Sequence, residues 1–508
     1  MRAHRRFETA AALAAAVSFV LGGCSLLPQS TPIDAPPPAT LEAYFEQDVD
    51  WQGCGSNAEC AVISTPLDWS DASAGSTTLA LSRVVAPAAS RIGSILVNPG
   101  GPGGSGVDFV LGSATFATTA TLRERYDIVG WDPRGVGSSG RVECLDDAAK
   151  DELLFGTWQN DYDSEEWIEE LATAEAAFVA ACVENTGPLL EFVDSRSTAA
   201  DMDLIRALLG EDQLDYLGFS YGTMFGAMYA ELFPERVGRF VLDGALDPTL
   251  GGLEWLTVQM RGFDSAMLAY LAFCLGGPDC PFTGTVDEAA SQFSSVMDTV
   301  DDLALRSGDG RTLDSATLGT AIAQALYSES SWPSLTAMFS NLAVGDAAAA
   351  FQFADSYYGR SGGTYASNSF EVYTATLCLD GDYATDEGST RDGIDAIAEA
   401  APLLGAEFSY DDYAHLDVAC SQWPYPPKEQ PEAYDAAGAN PILVIGTTND
   451  PATPYAWAEA LAGQLSSGVL VTFTGEGHTA YPGAGACITS TVDAYFIDGT
   501  VPATDPDC

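Results

Sequence analysis

Six short apolar runs along the chain predict buried strands. Each run holds four to six residues and is apolar almost throughout, as expected for strands that are covered on both faces. The runs are Ile92–Val97, Tyr126–Trp131, Leu214–Phe219, Phe240–Asp243, Ile442–Ile445 and Val469–Phe473. Segments with helical spacing separate them, for example Ser197–Leu209 and Thr223–Phe233. Because strands and helices alternate, the pattern predicts an α/β protein with a mostly parallel sheet flanked by helices.

The pattern changes in the middle of the chain. Between Asp247 and about residue 400, the chain is rich in Ala, Leu and aromatic residues at helical spacing, as in Leu318–Tyr327 and Trp332–Leu342. We interpret this stretch as a helical insertion that interrupts the sheet. The predicted organisation is a first core part over residues 46–247, the insertion over 248–400, and the returning core over 401–508.

The first residues of the chain are typical of an export signal. Three arginines within the first six residues precede an apolar stretch, Thr9–Val20, that is too short to span a membrane. The stretch is followed by Leu-Gly-Gly-Cys24, which resembles the lipobox of bacterial lipoprotein signals. The resemblance implies removal of residues 1–23, lipidation of Cys24 and attachment to a membrane through that lipid alone. A plain secretory signal cleaved nearby is the alternative to a lipoprotein signal. The proline-rich residues 24–45 would form an extended spacer.

The composition excludes two classes of protein. Hydrophobic residues make up 47% of the 508 residues, so the chain can bury a core and is not a disordered acidic protein. It carries 72 Asp and Glu against 20 Lys and Arg, which gives a net charge of −52. Because this charge would repel a phosphate backbone, nucleic acid is excluded as a partner.

The cysteines agree with export. Eleven are present, and ten remain once Cys24 is set aside, an even number that indicates disulfides in an oxidising compartment. We predict sequential pairing, because two of the pairs would close small loops. The predicted bonds are Cys54–Cys60, Cys144–Cys182, Cys274–Cys280, Cys378–Cys420 and Cys487–Cys508. A zinc site is the rival interpretation, but no Cys-x-x-Cys spacing occurs and only two histidines follow Cys24.

A Gly-x-Ser-x-Gly motif, Gly218–Gly222, is the first candidate for chemistry. A predicted strand runs into Phe219, and a helical segment without proline until Pro234 follows the motif. In such a strand–turn–helix elbow, the glycines permit a tight turn that exposes the serine hydroxyl. We therefore predict that Ser220 is a nucleophile; a glycine-rich turn with an ordinary serine is the alternative.

A serine nucleophile needs a general base, normally a histidine that is oriented by a carboxylate. His478 follows the last predicted strand on a glycine-containing loop, whereas His415 lies in a helical-looking segment and is expected to be structural. Asp450 follows the strand that ends at Ile445, at the edge where parallel sheets build their sites. The chain order Ser220, Asp450, His478 is that of α/β-hydrolases, which supports the assignment of all three.

Acyl transfer also needs N–H donors aimed at the developing oxyanion. The glycine-rich loop Asn98–Gly106 follows the first predicted strand, and its backbone can approach a substrate closely. We predict the amides of Gly101 and Tyr221 as the two donors, with Gly100 as the second choice in the loop. A phosphate-binding loop is the alternative, but the Lys-Ser/Thr ending is missing.

These segments resemble those of known hydrolases. Asn98–Gly106 resembles the Gly-Gly-x-Gly-Gly loop of the proline iminopeptidase branch of α/β-hydrolases, and Gly130–Ser139 resembles its Trp-Asp-x-Arg-Gly-x-Gly-x-Ser segment. Pro441–Trp457 is similar to the late segment of exported bacterial tripeptidyl aminopeptidases, and Cys54–Trp69 also fits that family. Pro99 stands where the proline iminopeptidase branch usually has His.

The resemblance implies an α/β-hydrolase with a helical cap that acts as a serine aminopeptidase. Such an enzyme would release short peptides, in particular tripeptides, from free N-termini without a metal or cofactor. The ammonium group of the substrate would need a carboxylate partner, and Glu254 and Asp380 are the candidates. An exported esterase with the same triad and a non-catalytic, lipid-anchored binding protein are the two alternatives.

Overall fold

The computed structural model describes residues 40–160, 164–381, 387–407, 410–431 and 433–508. A nine-stranded sheet lies at the centre of this part of the chain. The predicted signal, Cys24 and most of the predicted spacer lie outside the described residues.

The strands of the described residues follow one another along the chain as β1 (Gln52–Gly55), β2 (Ala58–Asp68), β3 (Asp71–Val84), β4 (Gly93–Asn98), β5 (Tyr126–Trp131), β6 (Leu214–Phe219), β7 (Val237–Asp243), β8 (Arg360–Ser361), β9 (Thr364–Tyr365), β10 (Ile442–Asn449) and β11 (Gly468–Glu476). The order across the sheet is β1-β2-β3-β5-β4-β6-β7-β10-β11, and β8 pairs with β9 in a separate hairpin.

Six neighbouring strands, from β5 to β11 in sheet order, pair in parallel. They correspond to the six apolar runs, so the predicted mostly parallel sheet is confirmed. The prediction missed β1 to β3, which extend one edge of the sheet in antiparallel fashion. β1 and much of β3 are exposed or half-buried, and β2 mixes buried with half-buried positions. These strands therefore do not appear in the sequence as continuous apolar runs.

Helices connect the strands. They are α1 (Glu42–Phe45), α2 (Gly106–Ala117), α3 (Ala120–Arg123), α4 (Asp147–Phe155), α5 (Glu165–Thr186), α6 (Ser195–Leu208), α7 (Gly222–Leu232), α8 (Gly252–Gly276), α9 (Val286–Leu303), α10 (Ser315–Leu326), α11 (Trp332–Leu342), α12 (Ala348–Tyr358), α13 (Ser369–Asp380), α14 (Glu387–Ala400), α15 (Tyr410–Ser421), α16 (Tyr455–Gln464) and α17 (Ala486–Asp498). In the described ranges, no single helix is long and apolar enough to cross a membrane. One pair of consecutive segments has that length and composition: α5 with the turn after it, and α6. The two segments are bent by 54° relative to each other.

Successive residues of the parallel strands alternate between two apolar layers. Leu96 belongs to the layer that α6 and α7 cover, whereas Ile95 and Val97 belong to the layer that α2 and α17 cover. Both faces of the central parallel strands are therefore covered by helices, and all six residues of β4 are buried. Burial on both faces explains why these strands are almost continuously apolar in sequence.

The chain between β7 and β10 is mainly helical and encloses an apolar core of its own, built largely from α8 to α12. This helical part continues beyond the predicted boundary at residue 400. Helix α15 packs against α5, where Tyr413 shares an apolar cluster with Trp167, and His415 Nδ1 lies 2.8 Å from Glu175 Oε1. The first strand after the helical insertion is β10, which begins at Ile442.

All five predicted disulfides are present. The bonds join Cys54 to Cys60, Cys144 to Cys182, Cys274 to Cys280, Cys378 to Cys420, and Cys487 to Cys508. Five disulfides in one chain indicate an exported protein, because cytosolic thiols are kept reduced.

Candidate active site

Ser220 lies at a sharp turn between β6 and α7. Its φ is +52°, in the left-handed region that residues with a side chain avoid at a cost of about 1–3 kcal/mol. The flanking glycines leave the necessary space: a Cβ on Gly218 would lie 2.6 Å from the carbonyl oxygen of Gly222, and one on Gly222 would lie 2.9 Å from Asn98 Oδ1. The Ser220 amide donates to the Asp243 carbonyl at the end of β7 (2.9 Å). The motif thus forms a strand–turn–helix elbow.

His478 and Asp450 form a hydrogen-bonded pair beyond the ends of β11 and β10. His478 Nδ1 lies 2.9 Å from each carboxylate oxygen of Asp450, which is 1% exposed. Backbone amides support the same carboxylate: those of Ala452 and Thr453 donate to Oδ1 at 2.9 Å, and that of Thr479 donates to Oδ2 at 3.2 Å. The carboxylate is therefore held facing the imidazole.

The pKa of His478 is raised above its ordinary value of 6.5. Burial by itself would lower this pKa, but the negative charge of Asp450 and its hydrogen bond outweigh burial. Thr453 Oγ1 adds a further polar contact, at 3.2 Å from His478 Nδ1 and 3.0 Å from Asp450 Oδ2. We assign the Nδ1–H tautomer, which donates to the carboxylate and leaves Nε2 to accept a proton.

Asp243 joins the elbow to the loop that carries His478. Its carbonyl accepts the Ser220 amide, and its buried carboxylate accepts the amides of Ala480 (3.0 Å) and Tyr481 (2.7 Å), shortly after His478. Burial raises the pKa of the Asp243 carboxyl to about 7. No sequence motif marks Asp243, because its position at a strand end resembles that of many other acidic residues.

Four neighbouring strands, β6, β7, β10 and β11, end at the same edge of the sheet. Gly244, directly after β7, is so close to the imidazole that an added Cβ would lie 3.2 Å from His478 Cε1. The three residues predicted from the sequence as a triad, Ser220, Asp450 and His478, are thus gathered at one edge, where open α/β sheets place their ligands.

The helical insertion contacts the same imidazole through Tyr327, the residue after α10. The Tyr327 carbonyl accepts the His478 amide (2.8 Å). Its ring stands edge-on to the imidazole, with centroids 5.1 Å apart and an interplanar angle of 86°. The insertion therefore forms one wall of the site. No sequence motif marks Tyr327, since its approach to His478 depends on how the insertion folds.

The glycine-rich loop lies against the elbow. An added Cβ on Gly100 would lie 2.9 Å from Ser220 Cβ and 2.8 Å from the amide nitrogen of Tyr221. The Gly100 amide donates to Asn98 Oδ1 (2.8 Å), so it is already used within the loop. The Gly101 amide donates to no group within the part of the chain that the structure describes. Of the two loop candidates, Gly101 is therefore the one with a donor available.

Polar contacts hold the Trp-Asp-x-Arg segment in place beside this loop. Arg134 and Asp201 form a bidentate ion pair at 2.7 Å with both side chains fully buried. The Asp132 carboxylate accepts hydrogen bonds from the hydroxyl of Ser105 and the amide of Ser138. Burial raises the pKa of Asp132 to about 6. The segment thus ties together the two loops that follow β4 and β5.

The two residues predicted to bind the ammonium group of the substrate lie in different environments. Glu254 is exposed in the first turn of α8. Asp380 accepts hydrogen bonds from the Tyr221 hydroxyl (2.7 Å) and from both the amide (2.9 Å) and the hydroxyl of Ser195. Burial, and next the charge of Asp194, raises the pKa of Asp380 to about 7. Because the protein's own donors fill its carboxylate, Asp380 is not a free acceptor for a substrate.

Comparison with known proteins identifies the family. A family described as "TAP-like protein" matches residues 406–508. The serine protease Hip1 of Mycobacterium tuberculosis is 36% identical over 514 residues, which cover 97% of this chain and 96% of Hip1. The chain belongs to the TAP-like family of α/β-hydrolases.

Other relatives of this TAP-like hydrolase carry different activities in their names. Carboxylesterase B of Mycobacterium tuberculosis is 36% identical over 457 residues, covering 89% of this chain and 86% of the relative. The tripeptidyl aminopeptidase of Streptomyces lividans is 29% identical over 497 residues, covering 91% and 86% respectively. The TAP-like chain is therefore a serine hydrolase.

Proposed function

We propose that this hydrolase is a serine exopeptidase that releases short peptides, specifically tripeptides, from free N-termini through an acyl-enzyme. The observation that carries the proposal is the His478–Asp450 pair, with Nδ1 2.9 Å from the carboxylate, beside a serine on a strained elbow. Relatives named as a serine protease and as a tripeptidyl aminopeptidase support a peptide substrate.

The proposed mechanism assigns a role to each residue of the site. Ser220 Oγ attacks the scissile carbonyl carbon while His478 Nε2 takes the hydroxyl proton, and Asp450 stabilises the imidazolium that results. The amides of Gly101 and Tyr221 donate to the oxyanion of the tetrahedral intermediate. When the C–N bond breaks, His478 returns the proton to the leaving amine. A water molecule then attacks the acyl-enzyme by the same route and regenerates the Ser220 hydroxyl.

An exported esterase is the second candidate, since one relative is named carboxylesterase B. The same groups would hydrolyse an ester, whose alkoxide leaves more easily than an amine. The acidic charge of −52 favours the approach of a substrate with a cationic end. A preference for one substrate length and a requirement for a free amine therefore distinguish the exopeptidase from the esterase.

The test compares aminoacyl, dipeptidyl and tripeptidyl p-nitroanilides, each with a free and an acetylated amine, and a short p-nitrophenyl ester. We expect the free tripeptidyl amide to give the highest kcat/KM and its acetylated counterpart to be at least about 100-fold poorer, because acetylation removes the ammonium charge that the proposed exopeptidase recognises. Equal cleavage of the acetylated and free tripeptidyl amides would contradict the exopeptidase. Turnover of the ester alone would favour the esterase.

The proposal includes attachment to the outer face of the cell membrane through a lipid on Cys24. The Leu-Gly-Gly-Cys24 sequence and the proline-rich spacer support it. Cys24→Ala should move the protein from the membrane fraction to the medium, because one acyl-modified cysteine would be its only anchor. Peptidase activity in the medium serves as the control for folding. A Cys24→Ala variant that stays in the membrane fraction would contradict lipid attachment.

A further inference from the structure

Helix α13 contacts both segments that supply the proposed oxyanion donors. At its amino-terminal end, Ser369 lies against the glycine-rich loop: an added Cβ on Gly103 would lie 2.8 Å from the Ser369 carbonyl oxygen. Asn368, just before the helix, is 2% exposed and is hydrogen-bonded through both ends of its side-chain amide, accepting from the Gly137 amide (3.1 Å) and donating to the Gly135 carbonyl (2.8 Å). This end of the helix is therefore packed against the loop that carries Gly101.

The other end of α13 reaches the second donor residue. Asp380, the last residue of the helix, accepts the hydroxyl of Tyr221 at 2.7 Å. Tyr221 directly follows Ser220 and is only 6% exposed, and its amide nitrogen faces the glycine-rich loop at Gly100. A hydrogen bond to a carboxylate is among the stronger kinds in proteins. It holds the Tyr221 side chain against the end of α13.

Asp380 is itself held in place by covalent and polar contacts. Cys378, two residues earlier, is joined to Cys420 on α15 by a disulfide. The carbonyl of Leu379 accepts the amide of Lys428 (2.7 Å). Together with the two donors of Ser195, these contacts fix the carboxylate before any substrate binds.

We infer that Asp380 is a positioning residue for acyl transfer, which acts through the Tyr221 hydroxyl to hold the Tyr221 amide at the oxyanion. The inference rests on the proposed function, because it concerns the same tetrahedral intermediate. Its physical basis is the strain at Ser220, whose φ of +52° persists only if the surrounding residues are held firmly. Tyr221 is the next residue along the chain, and Asp380 anchors it. This role differs from the amine-binding role that the sequence predicts for Asp380.

The test uses Tyr221→Phe, Asp380→Asn and the double variant. Tyr221→Phe removes the hydroxyl–carboxylate bond, and Asp380→Asn replaces the carboxylate with a neutral amide. Both changes retain the Tyr221 backbone amide. We expect kcat to fall about 10-fold in each, with KM changed less than about 2-fold, because a displaced donor affects the transition state more than the bound substrate. The double variant should lose no more than the worse single variant, since both changes affect the same interaction.

Two controls separate positioning from a general loss of packing. Tyr44→Phe removes another buried tyrosine hydroxyl, which contacts Ser76 Oγ at 2.7 Å beside the antiparallel edge, and should leave kcat unchanged. A tripeptide aldehyde, which adds to Ser220 and forms an oxyanion-bearing hemiacetal, should bind about 10-fold more weakly to the two single variants. The corresponding tripeptide alcohol, which forms no oxyanion, should bind them as it binds the wild type.

The inference would be overturned if kcat and aldehyde affinity stay within 2-fold of wild type in Tyr221→Phe, or if the two losses multiply in the double variant. It would also be overturned if the aldehyde and the alcohol weaken equally. If Asp380→Asn does not fold, the test compares kcat and aldehyde affinity of Tyr221→Phe with those of Tyr44→Phe. If the wild type cleaves only esters, the proposed exopeptidase fails, and the same variants are compared on the p-nitrophenyl ester and on a simple aldehyde.

Discussion

Replacing Ser220 with alanine is expected to abolish hydrolysis of the tripeptidyl amide. The change removes the only atom that forms the acyl-enzyme, and loss of the serine from a comparable triad lowers kcat by about 10⁶-fold. Alanine keeps the Cβ and tolerates the elbow as well as serine does, so thermal unfolding should be little changed. The measurement is kcat for the free tripeptidyl p-nitroanilide with purified wild type and variant.

The control for Ser220→Ala is Ser340→Ala, which removes a hydroxyl that bonds to the Thr336 carbonyl within α11. This variant should retain wild-type kcat. Residual turnover by Ser220→Ala above a hundredth of the wild-type rate would contradict the assignment of Ser220 as nucleophile.

Asp450→Asn is expected to lower kcat by about 10⁴-fold without unfolding the protein. An asparagine can present its NH2 group to His478, which then adopts the tautomer that cannot accept the serine proton. Because Asp450 makes the largest contribution that raises the pKa of His478, its replacement should also move the acidic limb of the pH–kcat/KM profile to lower pH. The wild-type limb should lie above pH 6.5, since only the neutral imidazole can act as a base.

Asp243→Asn is the matched comparison for Asp450→Asn. Asp243 is also a buried carboxylate near His478, but its oxygens accept the amides of Ala480 and Tyr481 and not the imidazole. Its replacement should cost far less in kcat and move the acidic limb less than Asp450→Asn does, because the charge of Asp243 makes the smaller contribution to the raised pKa of His478. If Asp243→Asn gives the larger loss and the larger shift of the limb, Asp243 and not Asp450 is the partner of the base.

The sequence alone predicts the parallel sheet, the disulfides and the residues gathered at the sheet edge, for identifiable reasons. Strands buried on both faces must be apolar throughout, so β4 and β10 are visible as runs. The scarcity of histidines leaves few bases to consider, and the chain order of Ser220, Asp450 and His478 matches their positions at neighbouring strand ends. These signals are local or depend on order along the chain.

Other contacts of the site depend on the tertiary fold and leave no local signal. Tyr221 and Asp380 are 159 residues apart in sequence and meet only because the fold brings the end of α13 against the elbow. Tyr327 reaches His478 from the insertion, and its ring is one aromatic residue among many in that stretch. Thr453 is the exception: a hydroxyl three residues after Asp450 is a common way to support a carboxylate, and this spacing could have been noticed.

Covalent labelling with a fluorophosphonate, followed by peptide mapping, tests the central claim most directly. Ser220 is the only serine in the tryptic peptide 207–236, so the position of the adduct is unambiguous. The account predicts one phosphonyl group per chain, on that peptide, with amide hydrolysis lost in proportion to labelling. An adduct on another peptide, or full hydrolysis by a protein that remains unlabelled, would contradict a serine hydrolase acting through Ser220.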